Sequence, residues 1–247
     1  MPSRRTVRAL LVGVPLAVVA VAASLAVVIV ARAQHQPGSY RSDQADYGHA
    51  PAYSLTDQLG RTTPSTEFAG KVQVVSYLFP YCRTYCPTIT HTLVQLQRDL
   101  AQAGLFGGKV QFVIFNVDPA GAGPREMRAF LEQYGVDPAT PGWHYLTGDP
   151  QQVRRVVHDG YHVYYSKVSL RQEAKDIARE RAQGTYVEVP ERPNALADHK
   201  HVGYDVVHND YIEVVDPDGR ISSYFDGNQV SEARLLQTVR EATLAGG

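Results

Sequence analysis

The sequence has few cysteines and almost no net charge, and the balance of charges bears on which classes of partner the chain can bind. Lysine and arginine total 24 against 25 aspartates and glutamates, for a formal net charge of -1. Phosphate binding relies on clustered basic residues, so this balance gives no electrostatic reason to propose nucleic acid as a partner. We find no internal repeat and no long low-complexity tract. The 247 residues have room for one good-sized domain, with a substantial core, plus additional segments.

Residues 1–33 form the clearest non-globular segment, an N-terminal membrane anchor or signal. Three arginines precede an almost unbroken apolar run at 9–31, which is long enough to cross a bilayer as a helix. The excess of positive charge before the run predicts a single-pass protein of the cell membrane, with its domain on the extracytoplasmic face. A cleaved signal peptide is the alternative, because residues 31–33 have the small-x-small form of a cleavage site. The length of the run favours a retained anchor.

Residues 53–247 have the sequence pattern of an α/β domain with a thioredoxin-like fold. Two runs, at 72–79 and 110–117, are apolar on both faces, as strands in the centre of a covered sheet are. Helical spacing and turn sequences predict the other elements. The helices are expected at 87–103, 125–134, 150–159 and 231–245. The remaining elements are a short hairpin or edge element at 53–63, a short strand at 143–146, and a hairpin of DYIEVV and RISSYF around DPDG. The order strand, helix, strand, helix, two antiparallel strands and helix is the thioredoxin arrangement.

Two segments, 34–52 and 166–200, are predicted to lie outside this minimal fold. The first is rich in Gln, Ser, Gly, Asp and Tyr, a composition typical of a flexible linker. In the second, Ser169 and Gln172 have capping-box spacing ahead of a charged helix that Gly184 ends. We interpret this second segment as an insertion on the surface. The alternative is that it docks a partner or covers the functional site.

The only two cysteines, Cys82 and Cys86, lie in the stretch FPYCRTYCPT, between the first core strand and the following helix. This position is the carboxyl edge of a parallel sheet, where such folds bind ligands. The helix N-terminus adds a partial positive charge that stabilises a thiolate. Because the residue before a proline avoids helical backbone angles, Pro87 predicts that Cys86 lies at the helix cap and Cys82 in the preceding turn.

Three roles for this cysteine pair are open at this point. A structural disulfide is permitted in an oxidising compartment, but closing so small a loop stabilises a fold by only about 2 kcal/mol. A redox dithiol like that of thioredoxin would have two intervening residues, and this pair has three. The third role is a soft metal site. Two thiolates suit Cu(I), and an imidazole from elsewhere in the fold would give a set that also holds Cu(II).

The cysteine stretch, together with NVDP at 116–119 and VVHNDYIEVVDPDGR at 206–220, resembles the SCO/SenC family of cytochrome oxidase copper-delivery proteins. The family pattern is Cys-x-x-x-Cys-Pro after the first core strand, Asp-Pro after the next, and a histidine shortly before a strand ending in Asp-Pro-x-Gly. The resemblance covers residues 69–245. It implies that Cys82, Cys86 and His208 bind one copper ion per chain, with Asp118 in a supporting role. Asp118 has a second interpretation, as the residue that starts the turn before Pro119.

The function that this resemblance implies is a membrane-tethered metallochaperone, which is not an enzyme in the strict sense. Copper would come from an extracytoplasmic donor and pass to the dinuclear copper site of cytochrome c oxidase subunit II. Transfer by ligand exchange predicts reduced thiols and a partly exposed site. The alternative is a thiol-disulfide reductase, in which the more exposed cysteine, predicted to be Cys82, attacks and Cys86 resolves. A redox-sensing or purely interacting module is a third class.

Two features depart from the family pattern. The residues between the cysteines are Arg-Thr-Tyr, whereas family members commonly carry an acidic residue there. The insertion at 166–200 precedes His208 and brings His199 and His201 near it as rival ligands. For the histidines at positions 91, 144, 158 and 162, we expect surface or hydrogen-bonded structural roles.

Overall fold

The computed structural model describes residues 47–186, 188, 194–199 and 203–245. The predicted anchor or signal at 1–33 lies outside the described residues, as does most of the predicted linker. Among the described ranges, no helix combines the length and apolar character needed to cross a membrane. The last residues of the predicted linker contact the domain, since Ala50 N donates to Gly219 O at 2.9 Å and Tyr47 packs against the core.

The described residues form nine strands and six α-helices. In chain order the strands are β1 (Ser54–Thr56), β2 (Thr62–Pro64), β3 (Val72–Leu78), β4 (Val110–Asn116), β5 (Trp143–Leu146), β6 (Tyr165–Ser169), β7 (Tyr204–His208), β8 (Tyr211–Val215) and β9 (Ile221–Asp226). The helices are α1 (Tyr85–Gln102), α2 (Pro124–Gln133), α3 (Pro150–Arg154), α4 (Leu170–Gln183), α5 (Ala195–His199) and α6 (Glu232–Ala245). The chain continues beyond α3 as a π-helical turn at Arg155–Gly160, which completes the predicted helix at 150–159.

The central sheet has five strands in the order β5-β4-β3-β8-β9. β3, β4 and β5 are parallel, and β8 and β9 run antiparallel to their neighbours. Every residue of β3 and β4 is buried, which explains why both strands have continuous apolar sequences. α1 packs against α6, with Leu93 and Leu96 on one side and Leu235 and Val239 on the other in the core. The predicted mixed α/β fold, with its thioredoxin-like order of elements, is confirmed.

The predicted N-terminal hairpin is present as the antiparallel pair β1 and β2. Asp57 closes its turn, because its carboxylate accepts hydrogen bonds from Leu59 N at 2.9 Å and Arg61 N at 2.8 Å. Thr56 bridges to Thr147, just beyond β5. The hairpin is therefore tied to the end of the central sheet.

The segment at 166–200 differs most from its prediction. β6 and β7 pair with each other as a separate antiparallel ribbon, with Tyr165 opposite His208 and Ser169 opposite Tyr204. The insertion is therefore the tip of a β-hairpin and begins with a strand. The sequence prediction missed both strands because each has five residues of mixed polarity. Such strands carry no continuous apolar signal, and their partner lies far along the chain.

The charged helix predicted within this segment is confirmed as α4. Ser169 caps it, because Ser169 Oγ accepts a hydrogen bond from Gln172 N at 3.1 Å. None of the residues of α4 is buried. Gly184 ends the helix with a φ of 69°, in the left-handed region that glycine adopts without strain.

Candidate metal centre

The two cysteines lie where β3 ends and α1 begins. Cys82 is in the connecting turn, residues 79–84 (the cysteine turn), where Cys82 N donates to Phe79 O at 3.2 Å. Cys86 is the second residue of α1 and Pro87 the third. The prediction that Cys86 lies at the helix cap is therefore wrong. The N–H groups of a first helical turn have no partner within the helix, so a proline there removes no hydrogen bond.

The sulfur of Cys82 occupies the start of α1. Both cysteines are free thiols, so they form no disulfide in this structure. Cys86 N donates to Cys82 Sγ at 3.4 Å, and Thr84 Oγ1 lies 3.5 Å from the same sulfur. Cys82 therefore partners one of the first N–H groups of the helix, a position in which negative charge on sulfur is stabilised.

His208 reaches the cysteines as the last residue of β7. Its Nε2 lies 3.6 Å from Cys86 Sγ, although the two residues are 122 positions apart. Its Nδ1 lies 3.0 Å from Asn209 O. A carbonyl oxygen only accepts, so Nδ1 donates in this contact. In the neutral imidazole, Nε2 then keeps a lone pair that faces the sulfur, and in the protonated ring Nε2 carries a proton that it can donate to a thiolate.

The two thiols differ in how readily they ionise. Burial opposes ionisation of Cys82, but hydrogen bonds from Cys86 and His208, and the imidazole charge, lower its pKa well below the ordinary value. Burial, with the hydrogen bond and charge of Cys82, raises the pKa of Cys86 well above the ordinary value. Burial opposes a charged His208, but the hydrogen bond to Cys82 and the charge of Asp210 raise its pKa. Cys82 is therefore the thiol of the pair that ionises more readily.

The candidate site is closed to solvent. Cys82 and Cys86 are 3% and 0% exposed, and the side chain of His208 is 4% exposed. The ring of Phe79 packs edge-on against His208, with centroids 6.0 Å apart. The prediction of a partly exposed site is therefore wrong. The reason is that His208 at the end of β7 and the side chain of Asn194 lie against the cysteines and the cysteine turn.

Asn194, within the predicted insertion, holds the cysteine turn in place. Its side chain is fully buried, and Nδ2 donates to Pro80 O at 2.9 Å and to Cys82 O at 2.7 Å. Its Oδ1 accepts from Leu196 N at 3.1 Å and Ala197 N at 3.4 Å, so Asn194 also caps α5. The sequence carried a signal for this cap, an asparagine directly before the helix-forming run ALADH.

Asp118 lies in the loop after β4 and is fully buried. It starts a turn, because Gly121 N donates to Asp118 O at 3.0 Å and to Asp118 Oδ1 at 3.1 Å. Its carboxylate also accepts from Tyr204 Oη at 2.7 Å and pairs with Lys167 Nζ at 2.6 Å. Asp118 therefore starts the turn and contacts the ribbon that carries His208. Sequence reasoning did not identify Lys167 or Tyr204, whose partner is about 50 or more residues away.

The other histidines of the described ranges make contacts typical of surface or structural residues. The paired groups are His91 with Gln95 at 2.8 Å, His144 with Gln111 at 2.9 Å, and His158 with Asp159 at 2.8 Å. His162 has a positive φ of 58°. The two rival ligands proposed from the sequence, His201 and the side chain of His199, lie outside the described residues.

The donor atoms and their spacing fit a soft metal ion. A sulfur and a nitrogen bound to one tetrahedral ion, at about 2.3 and 2.1 Å, lie roughly 3.6 Å apart. Cys86 Sγ and His208 Nε2 have that separation, 3.6 Å. In the described part of the chain, no three or more His, Cys, Asp or Glu side chains are already gathered into a set that could hold a metal. Binding by Cys82, Cys86 and His208 together therefore requires side-chain movement.

The fold matches solved structures of Sco proteins. The SCO1/SenC family lipoprotein from Bacillus anthracis str. Ames has a TM-score of 0.60 and 20% identity, covering 81% of this chain and 98% of that one. Copper-bound ScoI from Bradyrhizobium japonicum has a TM-score of 0.57 and 22% identity, covering 79% and 99%. BsSco, a member of the Sco family of cytochrome c oxidase assembly proteins with a disulfide switch, has a TM-score of 0.55 and 18% identity, covering 79% and 94%. At these identities the likeness shows the fold.

Two relatives match at the level of sequence. The SCO1 protein homolog of Bacillus subtilis (strain 168) is 26% identical over 114 residues, or 46% of this chain. Protein sco1 of Schizosaccharomyces pombe is 25% identical over 185 residues, or 73% of this chain. Each match spans 56% of the relative's own length.

A sequence model of the SCO1/SenC family matches residues 41–186. The matched range is more than half of the chain. It contains Cys82, Cys86 and Asp118, and it ends before His208. The resemblance predicted from the motifs is thereby confirmed, and the chain belongs to the SCO1/SenC family.

Proposed function

We propose that this protein is a copper metallochaperone that binds one copper ion between Cys82, Cys86 and His208. It delivers this ion to the dinuclear copper site of cytochrome c oxidase subunit II during assembly of the oxidase. The observation that carries the proposal is the approach of His208 Nε2 to Cys86 Sγ, 3.6 Å apart across 122 residues. Family membership, the copper-bound ScoI structure and the oxidase-assembly family of BsSco support it.

Copper loading changes the protons held by these three side chains. Cys82 already favours the thiolate, and Cys86 must lose its proton before it can become a ligand. Two thiolates suit Cu(I), and the imidazole adds a nitrogen donor that extends the set to Cu(II). The hydrogen bond from Nδ1 to Asn209 O keeps Nε2 of His208 directed at the sulfurs.

Delivery proceeds by ligand exchange with the acceptor. Because the thiols are buried, acceptor ligands reach the copper only after the elements over the cysteine turn move. We propose that residues 1–33 tether the domain to the cell membrane on the extracytoplasmic side, where an extracytoplasmic donor supplies copper. The lipoprotein relative from Bacillus anthracis supports membrane association.

A second candidate function is thiol-disulfide reduction, and the unequal thiol pKa values favour it. The Cys82 thiolate would attack a target disulfide and form a mixed disulfide, releasing one target thiolate. Cys86 would then lose its proton and attack Cys82 Sγ, releasing the second target thiolate and leaving a Cys82–Cys86 disulfide. The target gains two electrons, and an external thiol reductant must restore the pair. The disulfide switch of BsSco supports this candidate.

Copper titration of the full chain in detergent separates the two functions. The metallochaperone proposal predicts that reduced wild type binds one Cu(I), that Cys82→Ser and Cys86→Ser lose it, and that His208→Ala weakens Cu(II) binding. The reductase predicts turnover of a disulfide substrate that needs both cysteines and is insensitive to His208→Ala. The matched control is His91→Ala, because His91 is an exposed histidine on α1. A reduced wild type that takes up no copper overturns the metallochaperone proposal.

A further inference from the structure

The ribbon that carries His208 is fastened to the domain by one buried carboxylate. Asp118 has no exposed surface, and each of its oxygens has a partner on the ribbon. Lys167 Nζ, from β6, lies 2.6 Å from Oδ1. Tyr204 Oη, from β7, donates to Oδ2 at 2.7 Å. Lys167 Nζ also lies 4.1 Å from the centre of the Tyr204 ring. We call these three side chains the carboxylate clamp.

The clamp lies on the same face of β7 as His208. Side chains alternate along a strand, so Tyr204, Val206 and His208 point to one face. Lys167 pairs in register with Val206, whose side chain is buried. The clamp thus holds one end of β7, Val206 packs in the middle, and His208 occupies the other end. This five-residue strand, about 13 Å from its first residue to its last, transmits the position of one end to the other.

The loop that presents Asp118 is held by hydrogen bonds and packs closely against Tyr204. Asp118 N donates to Asn116 Oδ1 at 3.0 Å, and Asn116 Nδ2 donates to Ala122 O at 2.8 Å. A Cβ atom on Gly121 would meet Asp118 Oδ2 at 2.0 Å and Tyr204 Oη at 2.2 Å. Asp118 and Tyr204 therefore pack so closely against Gly121 that no larger residue fits at position 121. This close packing restricts the movement of the ribbon end.

We propose that Lys167 and Tyr204 are positioning residues for His208, acting through Asp118 to set the distance between the imidazole and the thiols. This inference rests on the proposed function, because it requires His208 to be a copper ligand. Two thiolates hold Cu(I) without an imidazole, whereas Cu(II) depends on the nitrogen donor. The carboxylate clamp therefore determines how well the site holds Cu(II) and has little effect on Cu(I).

The clamp is tested by comparing Cu(II) and Cu(I) binding in variants of the full chain in detergent. Tyr204→Phe removes one hydroxyl, and Lys167→Met removes the charge from the ribbon. We expect each to raise the Cu(II) dissociation constant about 10- to 100-fold, the usual effect of losing a group that supports a metal ligand. We expect the Cu(I) dissociation constant to stay at its wild-type value. The matched controls are Tyr164→Phe, at an exposed residue directly before β6, and Lys175→Met, at an exposed residue of α4, and both should change neither dissociation constant.

Electron paramagnetic resonance of the Cu(II) form separates positioning from a general loss of stability. Tyr204→Phe should weaken the nitrogen hyperfine pattern at temperatures where thermal melting shows the variant to be folded. Adding Tyr204→Phe to His208→Ala should produce no further loss of Cu(II) affinity, because the two changes remove the same ligand. If Lys167→Met does not fold, Tyr204→Phe alone decides, since it removes a single hydroxyl.

Different variants test this inference and the proposed function, so the failure of one can be distinguished from the failure of the other. If wild type and His208→Ala bind Cu(II) equally, His208 is not a ligand and the proposed function loses its ligand set. If those two differ while Tyr204→Phe has wild-type Cu(II) affinity and a wild-type spectrum, only the positioning role is overturned. A lower melting temperature with an unchanged Cu(II) spectrum also overturns it, because the clamp would then be purely structural.

Discussion

Cys82 and Cys86 are four residues apart, yet their surroundings differ. The Cys82 sulfur accepts the Cys86 N–H at the start of α1, where the helix stabilises negative charge. Cys86 lies within the first turn, completely buried and next to the imidazole. One thiol is therefore ionised before the other. This order serves both candidate functions, since copper needs a first thiolate to bind and a disulfide needs a nucleophile.

Thiolate absorbance in the ultraviolet should reveal two ionisations on opposite sides of the ordinary cysteine pKa of about 8.5. We expect the lower one to disappear in Cys82→Ser and the upper one in Cys86→Ser. The variant lacking both cysteines gives the baseline. Two thiols that ionise together near the ordinary pKa would contradict the assigned asymmetry.

Glu213, in β8, should make the fold less stable as pH rises. Burial raises the pKa of Glu213 to about 8. The ordinary value in an unfolded chain is about 4.3. Between these values the folded protein holds a proton that the unfolded chain has released. The free energy of unfolding therefore falls as pH increases through this window. The contribution of Glu213 to stability is fully present only below the unfolded-chain value of about 4.3.

Glu213→Gln keeps the polar group and removes the ionisation. We expect the variant to gain stability relative to wild type as pH rises from 5 to 8, by roughly 1 to 3 kcal/mol at the upper end. Urea denaturation at several pH values measures this difference. Glu180→Gln, on the exposed helix α4, is the control and should show no such trend. A constant difference between Glu213→Gln and wild type across this pH range would show that the carboxyl does not titrate there.

At the scale of elements, the insertion is joined to the domain at several points. Its first strand, β6, pairs with the strand that ends in His208. Asn194, near its end, holds the cysteine turn through Pro80 O and Cys82 O. Ala195 N donates to Gln133 Oε1 of α2 at 3.0 Å. Of the interpretations of the insertion, the one that these contacts favour is an element that covers the functional site.

Asn194→Ala should loosen the cysteine turn. The change leaves two buried carbonyls without their donor, which costs about 1 to 3 kcal/mol for each unsatisfied group. We expect a lower urea midpoint and faster alkylation of Cys82, because the turn would open more often. Asn228→Ala, at the turn after β9, is the control and should change neither quantity. Wild-type alkylation rates in Asn194→Ala would show that Asn194 does not keep the thiols covered.

The parts of the fold that could be predicted from sequence are those with strong local patterns. β3 and β4 are buried on both faces, so they form continuous apolar runs. Asp149 before Pro150 predicted the start of α3, and Asp149 Oδ1 does accept from Gln151 N at 2.9 Å. β6 and β7 could not be predicted, because their pairing depends on residues on the far side of α4 and α5.

In the candidate site too, some features could be predicted from the adjacent sequence, whereas others depend on distant residues. The position of the cysteines between a strand and a helix was predictable from the chain around them. His208 was identified only through the family motif, because no local signal connects it to residues 122 positions earlier. Lys167 and Tyr204 of the carboxylate clamp had no signal, since contacts between distant segments leave no periodicity in the sequence.

At the scale of the whole molecule, burial of the thiols would give the proposed copper chaperone separate steps for holding copper and for releasing it. The thiols lie under the ribbon and the segment at Asn194, which protects them from solvent and from oxidants. Exchange with a partner requires these elements to move, so the proposed acceptor must open the site as well as supply ligands. A membrane tether at residues 1–33 would keep the domain near a membrane-bound oxidase and raise its effective concentration there.

X-ray absorption at the copper edge tests the central claim most directly, because it reports the atoms bound to the metal. The measurement uses the full chain loaded with one Cu(II), compared with His208→Ala and with the control His91→Ala. The proposed site predicts sulfur scattering at roughly 2.3 Å and imidazole scattering at roughly 2.0 Å, distances typical of protein thiolate and histidine ligands. The imidazole signal should be lost in His208→Ala and kept in His91→Ala. A spectrum without sulfur, or one that His208→Ala leaves unchanged, would contradict the assignment of Cys82, Cys86 and His208 as the copper ligands.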